Sequence, residues 1–197
     1  MSHYYSEKQD VPHSRKEVSF RFLDTLIKLT TDSGVFSKDH LDPGSELLLQ
    51  HIVKQFNQQS FCDVGCGYGA IGITVKKIFP ESFVTMFDIN QRAVETAAEN
   101  CKLNNVQCEV IHSDGFDKIS DSFDMIAINP PIRAGKIVIY RLFEEIEKHL
   151  NKDGILLVVI RKQQGAQSAK NKLTEIFGNC DMIDRSLGYW ILKSIKH

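Results

Sequence analysis

The sequence predicts an α/β domain: a doubly wound, mostly parallel seven-stranded sheet with an antiparallel C-terminal strand, preceded by a small N-terminal β-hairpin extension. Three observations carry that expectation. From residue 60 onward, short apolar runs alternate regularly with amphipathic stretches. The turn after the first run is rich in glycine, as a tight strand-to-helix connection requires. The run Phe123 to Ile128 ends at Asn129-Pro130-Pro131, and a proline pair stops a central strand because each proline removes a ladder donor.

The elements follow in order. Val18, Phe20 and Phe22 alternate with Ser19 and Arg21, a second β-like run covers Leu26 to Thr30, and Asp32-Ser33-Gly34 ends the pair. These strands make residues 1–40 an N-terminal β extension to a domain over 41–197. Asp42-Pro43 reads as an N-cap with proline at the first helical position, opening a helix through Leu47, Leu48, Ile52, Val53 and Phe56. Strands are then predicted at 60–64, 83–87, 107–112, 123–128, 154–160, 180–184 and 188–195. Helices are predicted at 69–79, 91–104, 136–150 and 166–177, the last closed by Gly178. Only Arg185-Ser186-Leu187 joins the last two strands. That is too short for a parallel crossover, so the final strand should run antiparallel.

Composition narrows the function classes. The 197 residues suffice for one α/β domain, and the net charge of −1 leaves no global nucleic-acid footprint, so RNA contact would need local basic patches. No run has the apolar length to span a membrane, and Met1-Ser2-His3-Tyr4-Tyr5 does not open a signal peptide. Five cysteines form no CxxC pair, which points to reduced thiols and a cytoplasmic setting. The seven histidines show no ligand spacing and there is no GxSxG elbow, so metal and serine hydrolases are excluded and no metal is expected.

Gly65, Gly67 and Ala70 satisfy the loose GxGxxG/A dinucleotide pattern, which admits NAD. Asp63 argues against it. Its carboxylate lies two residues before the first glycine and would repel a pyrophosphate, whereas it would favour a cationic ligand such as S-adenosylmethionine. Asp88 ends the next strand 21 residues beyond Gly67, the spacing of an acid that accepts from ribose hydroxyls. Asp114 follows the third strand and could accept from an adenine amino group. A helix cap or solvated turn is the alternative for each aspartate alone.

Asp63-x-Gly65-x-Gly67-x-Gly69, Asp88, Asp114 and Asn129-Pro130-Pro131 together resemble the class I S-adenosylmethionine-dependent methyltransferases, over roughly residues 40–197. More narrowly, Gly34-Val35-Phe36-Ser37, Asp42-Pro43-Gly44-Ser45 and Gly188-Tyr189-Trp190-Ile191-Leu192 resemble the RsmC-like ribosomal RNA guanine-N2 methyltransferases. The resemblance implies a Rossmann-like fold and a cofactor site of Asp63, Gly65, Cys66, Gly67, Gly69, Asp88, Ile89, Asp114, Gly115 and Asn129. It also implies catalysis by Asn129, Pro130 and Pro131, and ribosomal RNA or a ribosomal subunit as partner. Where that group often has an aromatic after the prolines, this chain has Ile132-Arg133-Ala134-Gly135-Lys136.

Methyl transfer from a sulfonium is an in-line displacement. Hydrogen bonds from an exocyclic amine to the Asn129 side-chain oxygen and the Pro130 carbonyl would expose the nitrogen lone pair and stabilise the charge developing there. Around that point Ile132, Arg133, Lys136 and Phe36 are candidate substrate contacts. Arg133 and Lys136 could grip phosphate or belong to a solvated loop, and Phe36 could stack on a base or fill the core. Arg161, Lys162, Lys170 and Lys172 could extend a basic rim or be ordinary exposed charges. Competing readings are a protein glutamine-amide methyltransferase, an NAD-dependent oxidoreductase and a non-catalytic S-adenosylmethionine-binding ribosome-assembly module.

Overall fold

The computed structural model describes residues 15–31, 41–57 and 59–197. Phe36 and its neighbours in Gly34-Val35-Phe36-Ser37 lie outside them. The expected hairpin forms from β1 (Lys16–Phe22) and β2 (Thr25–Thr31), paired antiparallel from Phe22 with Thr25 to Lys16 with Thr31. It packs onto the domain: Ile27 and Leu29 are fully buried in the same apolar cluster as Leu48, Ile52 and Phe61.

Helix α1 (Pro43–Gln55) starts as its sequence dictates. Proline fills the first turn, and the Asp42 carboxylate accepts the Ser45 N–H at 3.0 Å. The alternating units follow as β3 (Ser60–Val64), α2 (Ala70–Ile78), β4 (Phe83–Asp88), α3 (Gln91–Leu103), β5 (Glu109–His112) and β6 (Phe123–Ile128). Then come α4 (Lys136–His149), β7 (Leu150–Arg161), α5 (Ala166–Phe177), β8 (Asp181–Ser186) and β9 (Tyr189–Ile195). The main difference from expectation is β7, which begins directly after α4 at Leu150. Its register against β6 shifts between Phe123 and Met125, an irregularity that lets a turn-like Asn151-Lys152-Asp153-Gly154 segment remain in the strand.

The sheet order is β5-β4-β3-β6-β7-β9-β8. Strands β3 to β7 are mutually parallel, and β9 is antiparallel to both of its neighbours. The chain therefore reverses its direction of travel across the sheet between β3 and β6. That switch point is where open α/β sheets bind ligands, beyond the carboxyl ends of the strands.

Strand alternation divides the core between the two faces of the sheet. Cys62, Val64, Ile126, Ile128, Leu156, Val158 and Ile160 face α4 and α5. Phe61, Met125, Ala127, Leu157, Val159 and Ile191 face α1, α2 and the hairpin. By the same period of two, Asp63, Asn129, Arg161 and Tyr189 all belong to the α1 side, and this parity assembles the site.

Candidate active site

The loop from β3 to α2 is built on left-handed backbone. Gly65, Gly67 and Gly69 have φ of 68°, 56° and 87°. At Gly69 a Cβ would also meet Ile73 Cδ1 at 2.9 Å and Ala97 Cβ at 3.2 Å, so the position excludes any side chain. The loop is tied down by its neighbours: the Cys66 N–H donates to the Phe87 carbonyl at 3.0 Å, and the Gly67 N–H donates to the Asp88 carboxylate at 2.9 Å. Cys66 is buried and enters the site through its backbone, with burial pushing its thiol well above the usual range.

Asp63 is 1% exposed and accepts the Gly72 N–H at 3.0 Å, supplying α2 with the cap that Gly69 lacks. Asp88 is also buried and accepts from the Gly67 and Asn90 N–H groups. Burial drives the Asp63 carboxyl up to about 7, the Asp88 charge adds to the rise, and the Gly72 N–H opposes it. Burial raises Asp88 too, against the donors from Asn90 and Gly67 and the influence of His112. Among the described residues, no lysine or arginine hydrogen-bonds to either acid. Two buried carboxylates at adjacent strand tips, with no lysine or arginine bonded to them among the described residues, suit a ligand that brings positive charge.

A second observation agrees. Asn90 is 2% exposed, and its Oδ1 caps α3 by accepting the Arg92 N–H. Its Nδ2 is buried without a partner, leaving a donor beside Asp88 for a polar ligand. His112 Nε2 lies 2.9 Å from the Ile89 carbonyl and steadies the same turn. Sequence reasoning missed Asn90 and His112, since a helix cap and a lone histidine carry no distinctive spacing. These residues fit S-adenosylmethionine: Asp63 faces the demand of a cation, Asp88 keeps lone pairs for a diol, and Asn90 adds a donor.

Asp114 and Gly115 are placed differently from a bare adenine contact. The half-exposed Asp114 carboxylate forms an ion pair with Arg141 of α4, an interaction that raises the arginine pKa. Gly115 has a φ of 55°, and a Cβ there would collide with the Glu145 carboxylate, which accepts the Phe116 N–H at 3.2 Å. The structure thus gives Gly115 a backbone reason that the sequence did not show.

Asn129 leaves β6 on the α1 face. Its Nδ2 donates to Asp42 Oδ2 and to Ser45 Oγ, both at 3.1 Å. Both amide hydrogens are therefore engaged, and Oδ1 is the free end of the carboxamide. The Pro131 carbonyl accepts the Ala134 N–H at 2.9 Å in a short 3-10 turn over Ile132–Ala134. The carbonyl of buried Pro130 takes no such bond among the described residues. Two acceptors that are unused among the described residues, Asn129 Oδ1 and the Pro130 carbonyl, follow one another at the carboxyl end of β6.

Around the mouth, Arg133 is exposed and forms no ion pair among the described residues, while Lys136 reaches Ser168 Oγ at 3.4 Å. Ile132 is half-buried against the α4 side of the core. The wider basic rim shrinks. Arg161 donates to the Tyr189 hydroxyl at 2.8 Å, and Lys172 pairs with Glu144 and Glu175.

This sheet order, with acids at the tips of β3 and β4 and Asn-Pro-Pro after β6, defines an S-adenosylmethionine-dependent methyltransferase of class I. The chain belongs to the methyltransferase small domain family, which it matches over residues 26–193. It is 41% identical over 197 residues to the protein named YbxB of Bacillus subtilis, covering 98% of each. It is also 38% identical to ribosomal RNA small subunit methyltransferase C of Haemophilus influenzae, over 79% of this chain and 49% of that protein. Among solved structures, a 16S rRNA N2-guanine methyltransferase (RsmC) from T. thermophilus, in complex with AdoMet and guanosine, superposes with a TM-score of 0.86 at 22% identity. That match covers 94% of this chain and 52% of the other. The chain thus spans about half the length of the ribosomal RNA methyltransferases it resembles.

Proposed function

We propose that this protein transfers the methyl group of S-adenosylmethionine to the exocyclic amino nitrogen of a guanine in ribosomal RNA. The observation that carries the reading is the orientation of the Asn129 carboxamide. With Nδ2 held by Asp42 and Ser45, the side chain can only accept, and with the Pro130 carbonyl it offers two acceptors to one NH2 group. The similarity to ribosomal RNA methyltransferases supports RNA as the carrier of that group.

The cofactor supplies the electrophilic methyl. Asp63, Asp88 and Asn90, with the Gly65–Gly69 loop, would hold it at the tips of β3 and β4. Asn129 Oδ1 and the Pro130 carbonyl would take the two N–H groups of the base, turning its lone pair toward the methyl carbon. The same oxygens stabilise positive charge as it builds on nitrogen. Neither is basic, so the surplus proton leaves to water. A base reaches this depth only when splayed from its stack, and the exposed Arg133 and Lys136 would then contact its phosphates.

The test is transfer of labelled methyl groups to deproteinised ribosomal RNA, to assembled small subunits and to total protein, followed by nucleoside analysis. N2-methylguanosine in either RNA sample is the expected product. Label confined to protein would replace this reading with glutamine-amide methylation.

A further inference from the structure

Asp42, 87 residues before Asn129, has a carboxylate that serves more than its helix. Oδ2 accepts the Ser45 N–H at 3.0 Å, the Ser45 hydroxyl at 3.3 Å and Asn129 Nδ2 at 3.1 Å. Oδ1 accepts the Tyr189 hydroxyl at 3.2 Å, and that hydroxyl in turn accepts from Arg161 Nε at 2.8 Å. The proton assignment is self-consistent. Ser45 spends its single hydrogen on Asp42 and so must accept from Asn129, and Tyr189 spends its own on Asp42 and so must accept from Arg161. The chain of bonds runs one way, from Arg161 through Tyr189 to Asp42, with Asn129 donating into the same carboxylate.

The tyrosine at the centre of the network is buried. Tyr189 is 6% exposed, and the guanidinium of the exposed Arg161 lies over its ring, 4.9 Å from the centroid. Gly44 leaves room for the tyrosine, since a Cβ there would meet Tyr189 Cε1 at 2.7 Å and Asp42 Oδ2 at 3.0 Å. Burial raises the tyrosine pKa, which keeps it a donor. An ordinary N-cap needs none of these partners.

We infer that Asp42 is a positioning residue for methyl transfer: it locks the Asn129 carboxamide with its oxygen toward the acceptor amine and polarises it, while Tyr189 and Arg161 hold Asp42 in place. A flipped amide would set Asn129 Oδ1 against the Asp42 carboxylate, so the flip is forbidden. The negative charge behind Nδ2 draws the amide toward its charge-separated form, increasing the electron density that Oδ1 offers to the developing cation. The inference rests on the reading of Asn129 as the amine acceptor given under Proposed function.

Asp42→Asn tests it, because asparagine still caps a helix well while losing the charge. Against small subunits or deproteinised ribosomal RNA, Asp42→Asn should lower kcat about ten- to a hundredfold with KM and S-adenosylhomocysteine affinity unchanged. In an Asn129→Ala background the same substitution should change kcat no further. A purely structural cap would instead give independent, multiplying losses, or a loss of thermal stability with kcat intact, and either result overturns the inference.

A second readout needs no substrate. In the 15N spectrum, the side-chain NH2 pair that vanishes in Asn129→Ala should be protected from exchange. It should lose that protection in Asp42→Asn and, less completely, in Tyr189→Phe. A pair indifferent to Asp42→Asn refutes the inference even if wild-type protein methylates neither RNA sample. Failure of the wild-type protein to methylate RNA, with the amide signature present, counts against the proposed substrate alone.

Discussion

The Asp88 carboxylate accepts the Gly67 N–H at 2.9 Å, so the acid that ends β4 braces the loop that leaves β3. The cofactor loop and the strand-tip acids are thus one unit, and disturbing either should register in the other.

Charge burial at this unit sets a pH dependence. Asp63 has a folded-state pKa of about 7, well above its ordinary value, so the folded protein binds that proton more tightly than the unfolded chain. Its contribution to stability is full at pH below the ordinary carboxylate value and is lost as pH rises through about 7. The free protein should lose up to ~1.4 kcal/mol per pH unit in that window. Asp63→Asn keeps an acceptor for Gly72 and should flatten the slope, as chemical denaturation at pH 5 to 8 would reveal. An unchanged slope would place the burial penalty elsewhere.

Cofactor binding should show the opposite trend. A cationic ligand holds Asp63 ionised, so binding below pH 7 must expel a proton, and affinity should rise with pH until about 7 and then level off. Calorimetry with S-adenosylmethionine at pH 6 and 8, in buffers of different ionisation enthalpy, should detect proton release only at the lower pH.

Asn129→Ala should bind S-adenosylhomocysteine with wild-type affinity yet lower kcat about a hundred- to a thousandfold, the scale for removing one preorganised polar group. Full transfer by this variant would remove Asn129 from the chemistry.

The hairpin and the cofactor loop share a clamp. Asn100 of α3 is completely buried, accepts the Thr30 N–H at 2.7 Å, and donates to the Thr30 and Tyr68 carbonyls, both at 2.9 Å. Asn100→Ala strips partners from three backbone groups and should cost at least ~2 kcal/mol. Faster amide exchange should spread to β2 and the loop carrying Tyr68. Loss confined to α3 would contradict a shared clamp.

At the β8–β9 turn, Leu187 is 78% exposed with a φ of 53°, followed by Gly188 at 80°. This is the left-handed pair of a two-residue hairpin, for which Asn-Gly is preferred. Leu187→Asn should therefore raise stability by ~0.5–1 kcal/mol in urea titration.

Most of the fold was legible because its signals are local. The short apolar runs that became β3, β4 and β6, the amphipathic helices and the proline stop all act over a few residues. The asparagines that seize β2 were invisible: Asn100 within α3, and Asn104 just after it, which accepts the Lys28 N–H and donates to the Lys28 carbonyl, resemble any polar residues near a helix end. Part of the basic rim dissolved for a related reason. A lysine or arginine in a sequence carries no mark of the carboxylate or hydroxyl that will occupy it, and only packing brought Arg161 to Tyr189 and Lys172 to Glu144.

By itself the sequence determined which residues stand at the strand tips and what backbone they need: Asp63, Asp88, Asn129 and the glycines with positive φ. Side-chain period and glycine's lack of a Cβ are properties of short segments. Only the tertiary structure decided what those residues face. The order β3-β6-β7-β9 brings Asn129, Arg161 and Tyr189 onto one face beside the start of α1. There Asp42 takes both Asn129 and Tyr189 on a single carboxylate. Strand order is a global solution to covering two faces of a sheet, and no local run of residues encodes it.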